Sequence, residues 1–167
     1  MKIGIIGPSN IEFLIEINPY ADDIINKLSK VIVDFGYEIV VTPDKGSVSE
    51  LFVQNYLDKG GKKVFEIVPL DDKEFGYDWL NVSLGENINC GTWRNQPEKL
   101  NEECDVLLCV GYSVGVFAEI AYAKWFKPKK VYIIKDLVSG ELPREINKRL
   151  DIESISFGEF SSKIQNV

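Results

Sequence analysis

Three short segments of small and hydroxyl-bearing residues have the composition of anion-binding turns, and each comes just before a predicted helix. They are Gly7-Pro8-Ser9-Asn10, Thr42-Pro43-Asp44-Lys45-Gly46-Ser47 and Gly111-Tyr112-Ser113-Val114-Gly115. Unpaired backbone N–H groups and the helix dipole at such a place attract a phosphate group. Neither GxGxxG nor GxxxxGK[ST] occurs, so neither the dinucleotide fingerprint nor the P-loop is indicated. The alternative interpretation, that these are ordinary turns, stays open.

Proton-transfer chemistry is limited by the absence of histidine from the sequence. Histidine-based triads, histidine metal ligands and a histidine general base are excluded, so proton transfer falls to Glu119, Asp44, a lysine, a tyrosine or a cysteine. The sequence has three cysteines, Cys90, Cys104 and Cys109, and no two of them have CxxC spacing. This pattern disfavours a zinc site or a disulfide framework. We predict no metal site, and this cysteine usage favours a reducing cytoplasm.

Charge and hydropathy exclude several classes of protein. The 167 residues include 26 acidic and 19 basic side chains, which gives a net charge of −7. We therefore expect no nucleic-acid surface, because phosphate contacts need clustered positive charge. No apolar run approaches the ~20 residues that span a bilayer, so we expect no membrane partner. The amino-terminal run MKIGIIGPSN predicts a strand rather than a secretory signal, and the length fits one domain over residues 1–167.

Apolar runs that alternate with amphipathic stretches must position the three segments. Strands are predicted over residues 2–7, 37–42, 63–68, 105–110 and 131–134, with a candidate edge strand at 152–157. Helices are predicted after Asn18-Pro19, after Ser47 with its capping-box partner Glu50, over about 94–103, from Val116 until Pro128, and after Pro143. Residues 11–17 fit a strand extension or an irregular loop, and the aperiodic residues 70–93 are typical of a binding loop or lid.

Continuous apolar strands joined by helices predict an α/β fold. We expect a single Rossmann-like, doubly wound and mostly parallel sheet with helices on both faces. The predicted strand order is third, second, first, fourth, fifth. Because the carboxyl ends of neighbouring parallel strands meet at one edge, the three segments would form one pocket there. The expected ligand-binding residues are Gly7, Ser9, Asn10, Asp44, Lys45, Gly46, Ser47, Gly111, Tyr112, Ser113 and Gly115.

Four segments, taken in order, resemble the motifs of a known family. Residues 41–50 (VTPDKGSVSE) are similar to TGGGxGGVMEA, residues 59–69 (KGGKKVFEIVP) to AGGxVxGIxP, Arg94-Asn95 to an RN or RK pair, and residues 105–120 (DVLLCVGYSVGVFAEI) to DAxIxxxGGxGTxxEI. These motifs belong to the LOG-like Rossmann-type proteins, formerly the possible lysine decarboxylases. The short chain resembles their molybdenum-cofactor-carrier-like subgroup.

The resemblance implies a homodimer that binds a small phosphate-containing ligand, a nucleotide or a molybdopterin-type cofactor. Active LOG-like proteins cleave the base from a nucleoside 5′-monophosphate with an arginine and a glutamate, and Arg94 and Glu119 match those positions. An arginine grips a phosphate or base through its planar fork, and a glutamate stabilises an oxocarbenium-like transition state. We expect Arg94 to reach into the same pocket as Glu119.

Three departures from the family pattern weaken the standard phosphate cradle. Pro43-Asp44 and Tyr112-Ser113 stand where the family has Gly-Gly, and Val116 stands where it has threonine. Proline removes a backbone N–H, and Asp44 adds negative charge where a phosphate would approach. We therefore predict a protein that binds a nucleotide or phosphate-containing cofactor, with weak or lost catalysis. A phosphoribohydrolase and a structural dimer module with a vestigial site are the alternatives.

Each candidate also has a structural interpretation. Glu119 suits the first turn of a helix, Arg94 would pair with Glu98 one turn away, and Lys45 would be a solvated loop lysine. Trp79 and Trp93 either stack on a base or pack in the core or a dimer. Aromatic residues in the predicted helices add support for the homodimer, namely Phe52, Tyr56, Tyr122, Trp125 and Phe126.

Overall fold

A seven-stranded sheet forms the centre of the computed structural model, which describes residues 1–126 and 129–165. Its strands are β1 (Lys2–Ile6), β2 (Glu38–Val41), β3 (Val64–Val68), β4 (Glu86–Asn89), β5 (Val106–Cys109), β6 (Lys130–Ile134) and β7 (Asp151–Ile155). The order is β4-β3-β2-β1-β5-β6-β7, and every pairing is parallel. The predicted α/β class and the predicted order of the five apolar strands are confirmed, as is the edge strand β7.

Helices cover both faces of this sheet. In the described ranges they are α1 (Glu12–Ile17), α2 (Ala21–Asp34), α3 (Val48–Asp58), α4 (Gln96–Glu103), α5 (Val114–Tyr122), α6 (Arg144–Asn147) and α7 (Phe157–Ile164), with short 3-10 turns at Trp93–Asn95, Ala123–Trp125 and Lys135–Leu137. Helices α2, α3 and α7 bury Ile25, Phe52 and Phe160 in one core, and α4 and α5 bury Leu100 and Ile120 in the other. None of these helices is long and apolar enough to cross a membrane. The helix end predicted at Pro128 lies outside the described residues.

The strand order reverses direction between β1 and β5. Strands β2, β3 and β4 extend the sheet on one side of β1, and β5, β6 and β7 extend it on the other. The register sets Ile6 beside Cys109, so the loops that follow these two strands leave from adjacent strands. In open α/β sheets the crevice at this reversal, beyond the carboxyl ends of the strands, is the usual place for a ligand.

Residues 11–17 form helix α1, and both the strand and the loop interpretation were wrong. The Ile11 carbonyl accepts hydrogen bonds from Leu14 N at 2.9 Å and from Ile15 N at 3.0 Å. The alternating sequence was misleading because α1 buries only Leu14, while Phe13 and Ile17 are exposed. Apolar residues therefore occur on both sides of this short helix.

Strand β4 lies inside residues 70–93, which the sequence left without regular structure. Three of its four residues (ENIN) are polar and exposed, because β4 is the edge strand next to β3. An edge strand of this kind has no apolar periodicity that a sequence pattern could reveal.

Two helix starts differ from the predicted caps. Helix α2 begins at Ala21 rather than at Pro19, and Asn18 Oδ1 accepts from Tyr20 N at 3.0 Å outside the helix. At α3, Ser47 Oγ accepts from Glu50 N at 3.1 Å, as a capping box requires. The Glu50 carboxylate bonds elsewhere, so only one half of the predicted box forms.

The aromatic residues that supported a homodimer divide between core and surface. Phe52 and Tyr56 are buried within the chain's own core, and Tyr56 OH donates to the Tyr37 carbonyl at 2.9 Å. Trp125, in contrast, is 72% exposed. The homodimer stays a prediction, with less aromatic support than the sequence indicated.

Candidate functional site

A cavity of about 510 Å³ opens at the carboxyl ends of β1, β2 and β5. Its size is typical of small-molecule sites. All three predicted segments contribute to it, through Ser9 after β1, Asp44 after β2 and Ser113 after β5. The full lining is Ile5, Ile6, Gly7, Ser9, Thr42, Asp44, Ser49, Trp93, Gln96, Pro97, Ser113, Val114, Gly115, Val116, Ala118 and Glu119.

The amino terminus of α5 supplies backbone donors to the cavity. Ser113 caps the helix: its Oγ accepts from Val116 N at 3.2 Å and its carbonyl accepts from Phe117 N at 3.1 Å. The N–H groups of Val114 and Gly115 come before the first helical carbonyl that could accept them. A Cβ on Gly115 would meet nothing nearer than Ser113 Oγ at 3.8 Å, so this approach is sterically open. The α5 end therefore offers two donors and a positive dipole end.

The loop before α3 uses its donors internally. Gly46 N donates to Glu50 Oε2 at 2.7 Å, and Val48 N donates to the Pro8 carbonyl at 3.1 Å. What this loop presents to the cavity is the Asp44 side chain. The α3 end therefore has fewer free donors than the α5 end, with Ser49 N as the counterpart of Gly115 N, and it carries an acid.

Two carboxyl groups lie in the cavity wall. Glu119 is 9% exposed, and burial raises its pKa to about 7, although a hydrogen bond from Gln96 opposes the rise and the neighbouring Asp44 charge adds to it. Burial also raises the pKa of Asp44 to about 6. Its Oδ1 is buried and has no hydrogen-bond partner within the described part of the chain. No described lysine or arginine lines the cavity to balance these acids.

Gln96, at the start of α4, links the end of β2 to Glu119 on α5. Its Nε2 donates to Thr42 Oγ1 and to Glu119 Oε1, both at 2.8 Å. Asn101, one turn further along α4, donates from Nδ2 to the Glu119 carbonyl at 2.9 Å and so fixes α4 against α5. Sequence reasoning missed Gln96, although it follows directly on the Arg94-Asn95 pair.

Arg94 lies outside the cavity. Its Nη2 pairs with Glu74 Oε2 at 2.8 Å, and its side chain is 69% exposed. The structure therefore does not bring Arg94 and Glu119 together, and Arg94 does not form the alternative pair with Glu98 either. In the short turn before α4, it is the preceding residue, Trp93, that lines the cavity.

The other predicted ligand residues divide into two groups. Gly7, Ser9, Asp44, Ser113 and Gly115 line the cavity. The second group, which is not part of the lining, consists of Asn10, Lys45, Gly46, Ser47, Gly111 and Tyr112.

Several members of the second group have clear structural roles. Asn10 Oδ1 accepts from Glu12 N at 2.9 Å at the start of α1, and Lys45 Nζ donates to the Asp78 carbonyl at 2.8 Å. Gly111 has φ +141°, and a Cβ there would lie 2.4 Å from Leu14 Cδ2.

Tyr112 packs away from the cavity. Its ring lies 5.1 Å from the Phe117 ring, centroid to centroid. Burial raises the pKa of its hydroxyl to about 12. Tyr112 therefore stays protonated near neutral pH, and it is not part of the cavity lining.

Part of the 70–93 segment forms a rim of the cavity. Trp93 stacks on Trp79 with ring centroids 5.3 Å apart and planes 7° from parallel. Its indole Nε1 donates to the Gly76 carbonyl at 2.7 Å. Lys45 N donates to the Trp79 carbonyl at 2.8 Å, which ties this rim to the loop before α3.

The parallel sheet and the cavity at its reversal point define a Rossmann-like α/β protein. The Moco carrier protein from Chlamydomonas reinhardtii has this fold, at 18% identity and TM-score 0.75 over 99% of this chain and 95% of that one. The molybdenum cofactor binding protein from the phototrophic bacterium Rippkaea orientalis matches at 19% identity and TM-score 0.71, again over 99% and 95%. A structural genomics target, TM1055, matches at 20% identity and TM-score 0.73 over 99% of both chains.

These likenesses establish the fold. No protein-family model matches the sequence, and no curated protein is significantly similar to it. The fold implied by the resemblance to molybdenum-cofactor-carrier-like proteins is thus confirmed.

Proposed function

We propose that the cavity binds a small phosphate-containing cofactor, a nucleotide or a molybdopterin-type compound, and that the protein holds this ligand without efficiently transforming it. The observation that carries the proposal is the α5 end: Val114 and Gly115 line a cavity at the reversal point of the sheet, and their N–H groups precede the first helical carbonyl that could accept them. Two of the proteins with the same fold are named for binding or carrying the molybdenum cofactor, which supports this class of ligand.

The charges around the cavity favour holding over cleavage. Arg94, which matches the catalytic arginine of active LOG-like proteins, pairs with Glu74 at the surface. The described cavity lining contains no lysine or arginine side chain that could stabilise negative charge in a transition state. Backbone donors alone would hold a phosphate reversibly, as a carrier requires.

A ligand screen by thermal unfolding and calorimetry tests this proposal. The probes are guanosine, adenosine and inosine 5′-monophosphates, 6-hydroxymethylpterin phosphate and inorganic phosphate. A ligand at 100 times its dissociation constant should stabilise the protein by about 2.7 kcal/mol. We expect Arg94→Ala to bind within twofold of wild type, because its side chain lies outside the cavity. The proposal fails if no probe binds. If Arg94→Ala abolishes binding, the ligand does not bind in the cavity as proposed.

Glu119 supports a second candidate function, a phosphoribohydrolase. It is buried in the cavity close to Asp44, and its pKa of about 7 suits proton transfer near neutral pH. Chromatography of reactions with nucleoside 5′-monophosphates would detect the free base. A hydrolase should release base efficiently in a reaction that Glu119→Gln abolishes, whereas the carrier proposal predicts little or no release by the wild-type protein.

A cytoplasmic homodimer is also proposed, on the family resemblance and the cysteine usage. Light scattering at several protein concentrations tests the assembly. A monomer mass throughout a broad concentration range would reject the dimer.

A further inference from the structure

The cavity has a second part whose chemistry differs from that of the α5 end. Its wall contains one aromatic ring, Trp93, and its polar groups include the Glu119 and Asp44 carboxyls and the Gln96 amide, beside the hydroxyls of Thr42 and Ser49. Carboxylates accept hydrogen bonds, whereas the α5 end donates them. A ligand that fits both parts needs an anionic group at one end and hydrogen-bond donors at the other.

Trp93 has the rigidity of a stacking platform. Its indole N–H is held by the Gly76 carbonyl at 2.7 Å, and its ring is stacked on Trp79 with planes 7° apart. These two contacts fix the ring before any ligand binds. A fixed indole that lines a cavity can stack on a planar heterocycle, as aromatic side chains do on nucleobases.

The polar groups beside Trp93 are arranged to accept. Gln96 Nε2 uses its two hydrogens on Thr42 Oγ1 and Glu119 Oε1, so the free atom of its amide is the oxygen. Asp44 Oδ1 is buried and has no partner among the described residues, which leaves an acceptor without a donor. A ligand edge with two neighbouring N–H groups would satisfy such acceptors.

We propose that Trp93, Glu119 and Asp44 form a subsite for a planar heterocycle whose edge carries two adjacent N–H donors, the pattern of a 2-amino-4-oxopyrimidine ring. Guanine and pterin both contain this ring. The inference rests on the proposed function, because the phosphate bound at α5 would hold the ring in the second part of the same cavity.

Matched ligand pairs test the donor edge by calorimetry. Guanosine 5′-monophosphate carries a 2-amino group where inosine 5′-monophosphate has hydrogen, and 6-hydroxymethylpterin phosphate carries a 2-amino group where the corresponding lumazine phosphate has a carbonyl oxygen. We expect at least tenfold tighter binding of the amino member in the arm that matches the natural ligand. Comparison of the guanine and pterin arms identifies the source of the ring. Glu119→Gln should reduce the preference to threefold or less, and Asp44→Asn is the second variant if that protein does not fold.

Tryptophan fluorescence tests the stacking. The preferred ligand should quench emission in wild type and in the control Trp125→Phe, because Trp125 lies on the surface away from the cavity lining. The quenching should largely disappear in Trp93→Phe, and affinity should fall several-fold in Trp93→Leu.

The outcomes separate this inference from the proposed function. Equal affinity within both ligand pairs, or quenching that survives Trp93→Phe, would overturn the subsite while leaving phosphate binding in place. If none of the phosphate-bearing probes binds, the subsite and the proposed function fail together.

Discussion

Helices α3 and α5 both begin at the cavity behind a serine cap, yet their first turns present different groups to it. At α3, Gly46 N bonds to the Glu50 carboxylate at 2.7 Å, and Ser47 N bonds to the Asp44 carbonyl at 3.0 Å. At α5, the N–H groups of Val114 and Gly115 precede the first helical acceptor. Two loops of similar composition thus give one end suited to an anion and one end that offers an acid.

The comparison indicates that a helix amino terminus suits an anion where more of its donors are left free. The dipole is present at both ends, but at α3 the neighbouring carboxylates of Asp44 and Glu50 oppose it. No acidic residue stands in the Gly111–Gly115 loop. The two helix ends therefore differ in hydrogen-bond partners and charge rather than in helix geometry.

The largest expected effect contrasts the glycines of the two loops. Gly111→Ala should destabilise the fold by about 3 kcal/mol, because Gly111 has φ +141° and a Cβ would lie 2.4 Å from Leu14 Cδ2 and 2.8 Å from Pro8 Cδ. Gly46→Ala should cost about 1 kcal/mol, because φ is +77° but nothing lies within 4 Å of a Cβ there. Urea unfolding measures both. Equal losses would show that the β5–α5 loop is not held as tightly as this packing requires.

A second substitution tests whether the α5 end of the cavity binds the phosphate. Gly115→Asp should weaken binding of a phosphate-bearing probe by about 100-fold, equivalent to ~2.7 kcal/mol, because a carboxylate would stand beside the α5 donors. Its fold should be retained, since a Cβ at Gly115 has open space and an acid suits the first turn of a helix. Calorimetry gives the affinity, with Gly115→Asn as the uncharged control. Unchanged affinity in Gly115→Asp would place the phosphate elsewhere.

The two carboxyl groups in the cavity wall, Asp44 and Glu119, should make the free energy of unfolding depend on pH. Burial raises the pKa of Asp44 from 3.8 to about 6 and that of Glu119 from 4.5 to about 7. The folded protein then retains protons that the unfolded chain has released, so stability is greatest below about pH 4 for these two groups and falls as pH rises through about 6 and 7. Asp44→Asn and Glu119→Gln should each flatten this decline in chemical unfolding between about pH 4 and 7. If the free energy of unfolding fell with pH as steeply in both variants as in the wild-type protein, the burial of these carboxyl groups would be contradicted.

The same titration should lower the affinity for phosphate as pH rises. Ionised Asp44 and Glu119 repel an anion in the cavity, whereas the neutral carboxyls do not. Because the phosphate group itself titrates, the useful quantity is the ratio of wild-type to Asp44→Asn affinity at each pH. This ratio should fall by a few-fold between pH 5 and 8. A constant ratio would mean that Asp44 does not face the bound anion.

The sequence predicted the parts of the fold that depend on continuous burial. The five apolar strands and their order followed from that pattern, and their order in turn located the cavity edge. Strand β4 could not be predicted, because Glu86–Asn89 is a polar edge strand whose partner, β3, supplies the pairing. Helix α1 was missed because most of its apolar residues are exposed.

The candidate site was less predictable than the fold. Its location followed from topology, but which groups face the cavity depends on contacts between residues far apart in sequence. Glu74 holds Arg94 at the surface, while the Gly76 carbonyl and Trp79 hold Trp93 at the cavity. Gln96 became visible only through its bonds to residues of two other elements.

The central claim, that the α5 end rather than the α3 end receives the phosphate, can be tested by amide NMR. Uniformly ¹⁵N-labelled protein is titrated with guanosine 5′-monophosphate and, in a second sample, with inorganic phosphate. The account predicts that the amide resonances of Val114 and Gly115 shift most with both probes, and that those of Gly46 and Val48 shift little because their N–H groups are already bonded. Largest shifts at Gly46 and Val48, or no shift at Val114 and Gly115 on saturation with either probe, would contradict it.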